Sequence, residues 1–169
     1  MPTLVILRHA KSAWPLGVAD EDRPLNHRGR RDAPAAGTWL SQELGEVPGL
    51  AVVSPAERTR QTWGLVAPEL GGTVPMVLEP DIYAADGATL LNVVRTVGPE
   101  ISTAVLVGHN PGCEDLAASL SGPDSDPVAR SMMAIKYPTA GIAVLQLTTP
   151  WADVTPGSAV LTHFAVPRG

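Results

Sequence analysis

Cysteine is almost absent from this 169-residue chain, in which Cys113 is the single example. One cysteine excludes an internal disulfide framework, and it also excludes a zinc site built from cysteines. The four histidines show no HExxH pattern or other metal-ligand spacing. We therefore expect neither a metal nor another cofactor.

Long hydrophobic runs and a basic leader are lacking as well. The chain begins MPTLVILR, so its first apolar run ends at Leu7 and no positive side chain precedes that run. Such a run is too short for a secretory signal or a transmembrane helix. We therefore expect a cytoplasmic protein that has no membrane partner.

Charge is sparse, and basic charge is the scarcer kind. Charged residues make up 17% of the chain, and 12 Lys and Arg face 17 Asp and Glu, which leaves a net charge of −5. A basic surface extending over the whole chain is therefore absent, and we expect no nucleic-acid partner. Ten of the 12 bases are arginine, the side chain that suits forked contacts to phosphate or carboxylate.

Apolar residues are plentiful enough for a real core, at 44% of the chain. No internal repeat and no linker composition interrupts them, so residues 1–169 are expected to form a single domain. Apolar, β-branched runs predict six strands. These cover residues 3–7, 50–53, 74–78, 104–107, 142–147 and 159–165.

Helical spacing of apolar residues predicts helices over 27–44, 54–67, 88–97 and 113–120, and residues 121–139 are expected to be loop-rich. Pro34 predicts either a kink in the first helix or a later start with Asp32 as N-cap. Ser54, Pro55 and Glu57 are typical of a capping box that starts the second helix. Strands and helices alternate, which indicates an α/β fold with a mostly parallel sheet and helices on both faces.

Chemically active side chains follow three of the strands. Arg8 and His9 come after the first strand, Arg58 lies one turn into the helix after the second, and His109 follows the fourth. Ligands of such sheets bind at the carboxyl ends of the strands. Two guanidinium groups and two imidazoles at that edge predict a pocket for an oxyanion such as phosphate, and a neutral imidazole can attack phosphorus.

Structural interpretations of the same residues remain open. Arg8 and His9 could be a polar strand end, Arg58 a solvated helix residue, and His109 a histidine of a tight turn. Ser54 is expected to act as a cap rather than as a catalytic group.

Four segments resemble the histidine phosphatase superfamily, also called phosphoglycerate mutase-like. Leu7-Arg8-His9-Ala10 resembles its Arg-His-Gly signature, and the stretches 54–62 and 108–111 are similar to its second and third blocks. Asp22-Arg23-Pro24-Leu25, followed by Arg28-Gly29, is similar to the short SixA-like branch. The resemblance implies a three-layer α/β/α sandwich with a mostly parallel six-stranded sheet. It further implies His9 as nucleophile and Arg8, Arg58 and His109 as phosphate ligands. We count His109 with His9 as catalytic, and the family-like context of Arg23 makes it a further candidate substrate contact.

The chain departs from that family at one position. Many relatives carry a proton-donating Glu soon after the third strand, whereas this chain reads Ile82-Tyr83-Ala84 there. A phosphoramidate such as phosphohistidine depends less on an enzyme acid than an alcohol ester does, because its leaving nitrogen is more basic. The departure favours N–P substrates, and Asp22 or Asp81 is the candidate replacement donor.

The leading hypothesis is a metal-independent phosphatase that acts through phospho-His9 on a phosphohistidine protein or a small phosphate compound. A phosphomutase is the second hypothesis, although a mutase needs a closed pocket that keeps water from the phosphoenzyme. A non-catalytic phosphate-binding regulatory module is the third, although such a module has no need of a nucleophile.

Overall fold

The computed structural model describes residues 1–169 and contains six strands and five helices. The strands are β1 (Thr3–Arg8), β2 (Leu50–Val53), β3 (Met76–Leu78), β4 (Thr103–Gly108), β5 (Ile142–Leu147) and β6 (Ala159–Ala165). The helices are α1 (His27–Leu44), α2 (Glu57–Val66), α3 (Gly87–Arg95), α4 (Gly112–Leu120) and α5 (Pro127–Ile135). No helix has both the length and the apolar character needed to cross a membrane.

All six strands join one sheet in the order β3-β2-β4-β1-β5-β6. The pairs β2–β3, β2–β4 and β1–β4 are parallel, whereas β1–β5 and β5–β6 are antiparallel. The α/β class and the six strands expected from the sequence are therefore confirmed, and most of the pairings are parallel. This order places the carboxyl ends of β2, β4 and β1 side by side.

Helices cover both faces of the sheet because the strand residues alternate in direction. Val5 and Leu7 belong to a core shared with α1 and α2, whereas Leu4 and Ile6 belong to a second core shared with α3, α4 and α5. The middle strand β4 is buried along its whole length. The three-layer sandwich thus has two apolar cores that meet at the sheet.

One helix lies where the sequence predicted mainly loop. α5 occupies nine residues of the 121–139 segment. Asp126 caps it by accepting a 2.8 Å hydrogen bond from the Ala129 amide, and Pro127 takes the first helical position. An acidic cap followed by proline is a helix-start signal, so this helix was recognisable from the sequence.

The first helix runs unbroken from His27 to Leu44 with Pro34 inside it. Asn26 caps it, because its side chain accepts a hydrogen bond of 2.9 Å from the Gly29 amide. The alternative start at Asp32 is therefore wrong. Asp32 is buried and instead contacts two arginines, Arg28 and Arg168.

The predicted capping box at the start of the second helix is also wrong. α2 begins at Glu57, and no side chain caps it. Glu57 contacts Arg60 and Gln61 within the helix rather than reaching back. Ser54, the expected cap, has its hydroxyl oxygen 2.8 Å from Nε2 of His109, because tertiary structure brings a better partner than the local backbone.

Candidate active site

The carboxyl ends of β1, β2 and β4 surround a cavity of about 240 Å³. We call this cavity the cup. It is lined by Arg8, His9, Lys11, Ser12, Trp14, Arg23, Arg58, His109, Asn110 and Thr139. The His9 amide donates to the Gly108 carbonyl at 3.0 Å, which couples the ends of β1 and β4. The ring centroids of His9 and His109 lie 5.4 Å apart as a result.

The backbone determines which nitrogen of His9 is available. Nδ1 lies 2.7 Å from the carbonyl oxygen of Ala10, and a carbonyl can only accept a hydrogen bond. Nδ1 therefore carries the proton in the neutral ring, which leaves the lone pair on Nε2. Nε2 makes no hydrogen bond to the protein and belongs to a side chain that lines the cup.

Ala10, the residue whose carbonyl orients His9, is itself held by α2. The Ala10 amide donates to the Thr62 hydroxyl oxygen at 3.0 Å, and that hydroxyl donates to the Arg58 carbonyl at 2.7 Å. Thr62 and Arg58 lie one helical turn apart, so a single turn of α2 both anchors the His9 loop and presents the Arg58 side chain.

Both site histidines are kept uncharged. Burial is the main cause that lowers the pKa of His9 to about 3, and the nearby His109, Arg58 and Arg8 act in the same direction. Burial, followed by the Arg58 charge, lowers the pKa of His109 to about 4. At neutral pH the two rings therefore have unprotonated nitrogens and are surrounded by fixed positive charge.

The remaining contacts of His109 come from two sides. Its Nε2 faces Ser54, and the ring of Tyr83 packs edge-on against it with centroids 5.6 Å apart. Its Nδ1 is buried without a hydrogen-bond partner in the protein. A buried polar atom at a cavity normally has a partner, so this atom is a candidate ligand contact.

Both phosphate-binding candidates among the arginines line the cup. Arg8 donates through one terminal nitrogen to the Tyr137 carbonyl at 2.9 Å, and its buried Nε has no partner. Arg58 is 7% exposed and donates to the Asp20 carbonyl at 2.7 Å and to the Asp20 carboxylate at 3.1 Å. Arg58 is therefore held in place by Asp20, which belongs to the segment between β1 and α1.

Arg23 also lines the cup, but its own loop uses all three of its guanidinium nitrogens. They donate to the Ala13 carbonyl at 3.1 Å, to Asp20 at 3.0 Å and to the Ser12 hydroxyl at 2.6 Å. The guanidinium carbon sits 3.2 Å from the centroid of the Trp14 ring, which is a cation–π contact. Arg23 thus organises the wall of the cup.

The two candidate proton donors lie elsewhere. Asp22 and Asp81 are exposed, and neither lines the cup. The carboxylate that contacts Arg23 and Arg58 is Asp20, which the sequence presents only as one acid in an Asp-Glu-Asp run. A hydrogen bond from Tyr83, followed by those from Arg23 and Arg58, holds the pKa of Asp20 well below its usual range. Asp20 is therefore ionised beside Arg58.

Tyr83 occupies the segment where the expected acid is missing. Its hydroxyl donates to the Asp20 carboxylate, and this bond raises the pKa of Tyr83. Its neighbour Ala84 has a positive φ of 53°, a backbone conformation in which a side chain is strained. No group of three or more His, Cys, Asp or Glu side chains comes together in a way that could hold a metal ion.

Comparison with known proteins gives one consistent family. Residues 4–86 match the model of the histidine phosphatase superfamily (branch 1). An uncharacterised protein of Mycobacterium tuberculosis is 42% identical over 96% of this chain and 100% of its own length.

Solved structures agree with that match. A candidate phosphohistidine phosphatase SixA of Nakamurella multipartitia is 32% identical, with a TM-score of 0.83 over 98% of this chain and 96% of that one. A candidate phosphohistidine phosphatase SixA of Agrobacterium tumefaciens is 29% identical, with a TM-score of 0.81 over 99% of each chain.

Proposed function

This chain belongs to the histidine phosphatase superfamily, in its SixA-like branch, and we propose that it is a metal-independent phosphatase that forms a phosphohistidine on His9. One observation carries the proposal. His9 is a neutral imidazole whose Nδ1 proton is committed to the Ala10 carbonyl, so its Nε2 lone pair lies in a cup lined by arginine. That combination suits nucleophilic attack on a tetrahedral anion.

The first step forms a bond between Nε2 of His9 and phosphorus, and it breaks the bond from phosphorus to the leaving atom. We expect Arg8, Arg58 and His109 to stabilise the charge on the three equatorial oxygens, and their shared position in the lining of the cup supports this. The unpartnered Arg8 Nε and His109 Nδ1 would find partners in a bound anion.

The second step returns the enzyme to its starting state. Water attacks phosphorus, the N–P bond breaks, and orthophosphate leaves with the water oxygen. The electron pair of the broken bond stays on Nε2, and the proton that water loses passes to solvent. The Nδ1–H bond to Ala10 holds the same ring orientation throughout both steps.

A phosphohistidine substrate fits this cup better than an alcohol ester. The leaving atom of an alcohol ester requires a proton in the first step, and the carboxyl group that contacts the cup arginines Arg23 and Arg58 is that of Asp20, which is ionised. An imidazole leaving group needs less assistance, because its nitrogen is basic enough to carry its own proton. Phosphohistidine proteins are thus the preferred substrate class, with small phosphate compounds as the broader class.

The experiment is a quenched reaction with a labelled phosphohistidine protein in the presence of EDTA. We expect an acid-labile, base-stable label on the enzyme, located at His9 by mass spectrometry, together with release of orthophosphate. His9→Ala should show neither. The matched control is His163→Ala, which removes an exposed histidine paired with Glu43, outside the cup.

Three outcomes would contradict the proposal. Full activity in His9→Ala would show that His9 is not the nucleophile. Loss of activity in EDTA would show that the reaction requires a metal ion. Transfer of phosphate between positions of one substrate without net release would indicate a mutase instead.

A further inference from the structure

A second cavity, of about 280 Å³, adjoins the cup and shares Arg8, Lys11 and Thr139 with it. Arg28, Lys136, Pro138 and Arg168 complete its lining. We call this cavity the basic cleft. Its walls come from four separate parts of the chain: the end of β1 with the loop after it, the first turn of α1, the segment after α5, and the C-terminal residues.

Basic residues make up a much larger share of the basic cleft than of the whole chain. Five of the 12 basic residues line it, including both lysines, and no acidic residue does, although the whole chain carries −5. Like charges gathered in one cavity repel one another, and a bound anion relieves that repulsion.

One buried carboxylate compensates only part of this charge. Asp32 accepts from Arg168 at 3.2 Å and lies 3.4 Å from Nε of Arg28. Lys11 and Lys136 have no acidic partner within 4.0 Å, so both ammonium groups are available to a ligand.

The wall of the cleft is held in place by the fold. Arg168 donates to the Thr139 carbonyl at 2.9 Å as well as to Asp32, and the Gly169 amide donates to the other Asp32 oxygen at 3.1 Å. These bonds tie the C-terminal residues to α1 and to the segment after α5. The cations are therefore assembled by tertiary contacts rather than scattered along one exposed helix.

We propose that the basic cleft binds a second anionic group of the substrate whose phosphoryl group occupies the cup. This inference rests on the proposed function and assigns it a substrate class: phosphorylated compounds that carry another carboxylate or phosphate. Arg8 and Lys11 line both cavities, so one continuous basic wall serves both anions. The second anion comes either from a small bis-anionic molecule or from an acidic side chain near the phosphohistidine of a protein.

The first test measures binding and needs no turnover. Calorimetry compares methylphosphonate, which has one anionic group, with alkane bisphosphonates of increasing chain length. We expect the best bisphosphonate to bind about tenfold more tightly than methylphosphonate, beyond the roughly twofold statistical advantage of its two equivalent ends. Lys136→Ala should remove most of that gain.

The control for this test is Arg30→Ala. It removes the same charge from an exposed residue of α1 that does not line the basic cleft, and it should preserve the full gain. A wild-type protein that binds both ligands equally, or a gain that survives in Lys136→Ala, would overturn the proposal.

The second test measures selectivity during turnover. The substrates are phosphohistidine peptides with glutamate or glutamine beside the phosphohistidine, and aryl phosphates with or without a second carboxylate. We expect a preference for the acidic member of one of the two pairs, which identifies the source of the second anion. Lys136→Glu should abolish or reverse that preference in kcat/KM, and Arg30→Ala should retain it.

The two tests separate this inference from the function on which it rests. A wild-type protein that releases no phosphate from any substrate refutes the proposed function. The binding test still shows whether the basic cleft binds a second anion. A wild-type protein that is active but does not prefer the acidic substrate in either pair refutes the proposed role of the basic cleft and leaves the phosphatase function standing.

Discussion

His9 depends on a single backbone carbonyl for its chemistry. The Ala10 oxygen takes the Nδ1 proton, so the lone pair resides on the nitrogen that is left for the cup. Burial then keeps the ring neutral, because a charged imidazole loses more hydration than the Ala10 bond returns. The side chain is thus a nucleophile in the free protein, before any substrate arrives.

Titration of the two site histidines tests this description. With pKa values lowered to about 3 for His9 and about 4 for His109, both rings should stay neutral from pH 8 down to about 5. Imidazole NMR spectra should show His9 as the Nδ1–H tautomer over that range, with free histidine in the same buffer as the reference. A midpoint near 6.5 for His9 would contradict the prediction.

The same shifts affect stability, with a definite sign. Histidine in the unfolded chain titrates near pH 6.5. Below that pH the unfolded chain therefore binds protons, whereas His9 and His109 stay unprotonated in the native protein. We expect the free energy of unfolding to fall as the pH drops from about 6.5 toward 4, as measured by urea titration. A His9→Gln variant should lose less stability over that pH range than the wild type does.

Arg58 and Arg60 provide a matched pair on one helix. Arg58 is buried in the cup wall, whereas Arg60 is exposed and pairs with Glu57. Arg58→Ala should lower kcat/KM by roughly 10²- to 10³-fold, the cost of losing one preorganised donor to the transition state. Arg60→Ala should stay within about twofold of the wild type, with circular dichroism as the check on folding. Equal effects of the two substitutions would place Arg58 outside the chemistry.

The position of α2 is set by its packing against α1, and Gly37 of α1 permits the close approach of the two helices. A Cβ at Gly37 of α1 would lie 2.6 Å from the Val66 carbonyl oxygen at the end of α2. That distance is shorter than any ordinary contact, so α1 and α2 approach closely only because residue 37 has no side chain. The position of Arg58 and Thr62 beneath the His9 loop follows from this approach.

Two glycine-to-alanine substitutions should therefore have opposite effects. Gly37→Ala should destabilise the fold by about 1–3 kcal/mol, because it forces the two helices apart. Gly64→Ala, on the exposed side of α2 with nothing within 4 Å of the new Cβ, should stabilise it by about 0.5–1 kcal/mol through helix propensity. Urea unfolding of both variants is the measurement, and a stabilised Gly37→Ala would contradict the packing argument.

The molecule as a whole has two apolar cores that share one sheet. Leu40 and Trp63 lie in the core under α1 and α2, whereas Leu116 and Trp151 lie in the core on the opposite face. Each strand of the centre contributes alternate residues to both, so loss of one core removes support from the other. We expect residues 1–169 to unfold as one cooperative unit.

One truncation in each core tests this cooperativity. Leu40→Ala and Leu116→Ala should each lower the free energy of unfolding by about 2–5 kcal/mol. In both variants, tryptophan fluorescence and far-UV circular dichroism should report a single coincident transition. Two separate transitions in either variant would show that the cores are independent.

The sequence alone determined the elements whose signal is local. Apolar runs located all six strands, and β2, β5 and β6 have the bounds that the runs predict. The predicted strand ends indicated Arg8, His9, Arg58 and His109 as site residues, and all four line one cavity in the structure. Short-range periodicity and the rule that ligands bind at carboxyl strand ends are sufficient for this much.

Only the tertiary structure decided the partners of polar side chains. The sequence around Ser54 predicts a helix cap, but its side chain faces His109. Asp32 is also a candidate cap, but it contacts Arg28 one turn earlier in the same helix and Arg168 near the end of the chain. Asp20 has no distinguishing signal, yet it holds Arg58, Arg23 and Tyr83 together. A polar side chain takes the partner that burial and geometry make strongest, and no local pattern reveals a partner that comes from a distant segment, as His109 does for Ser54 and Arg168 does for Asp32.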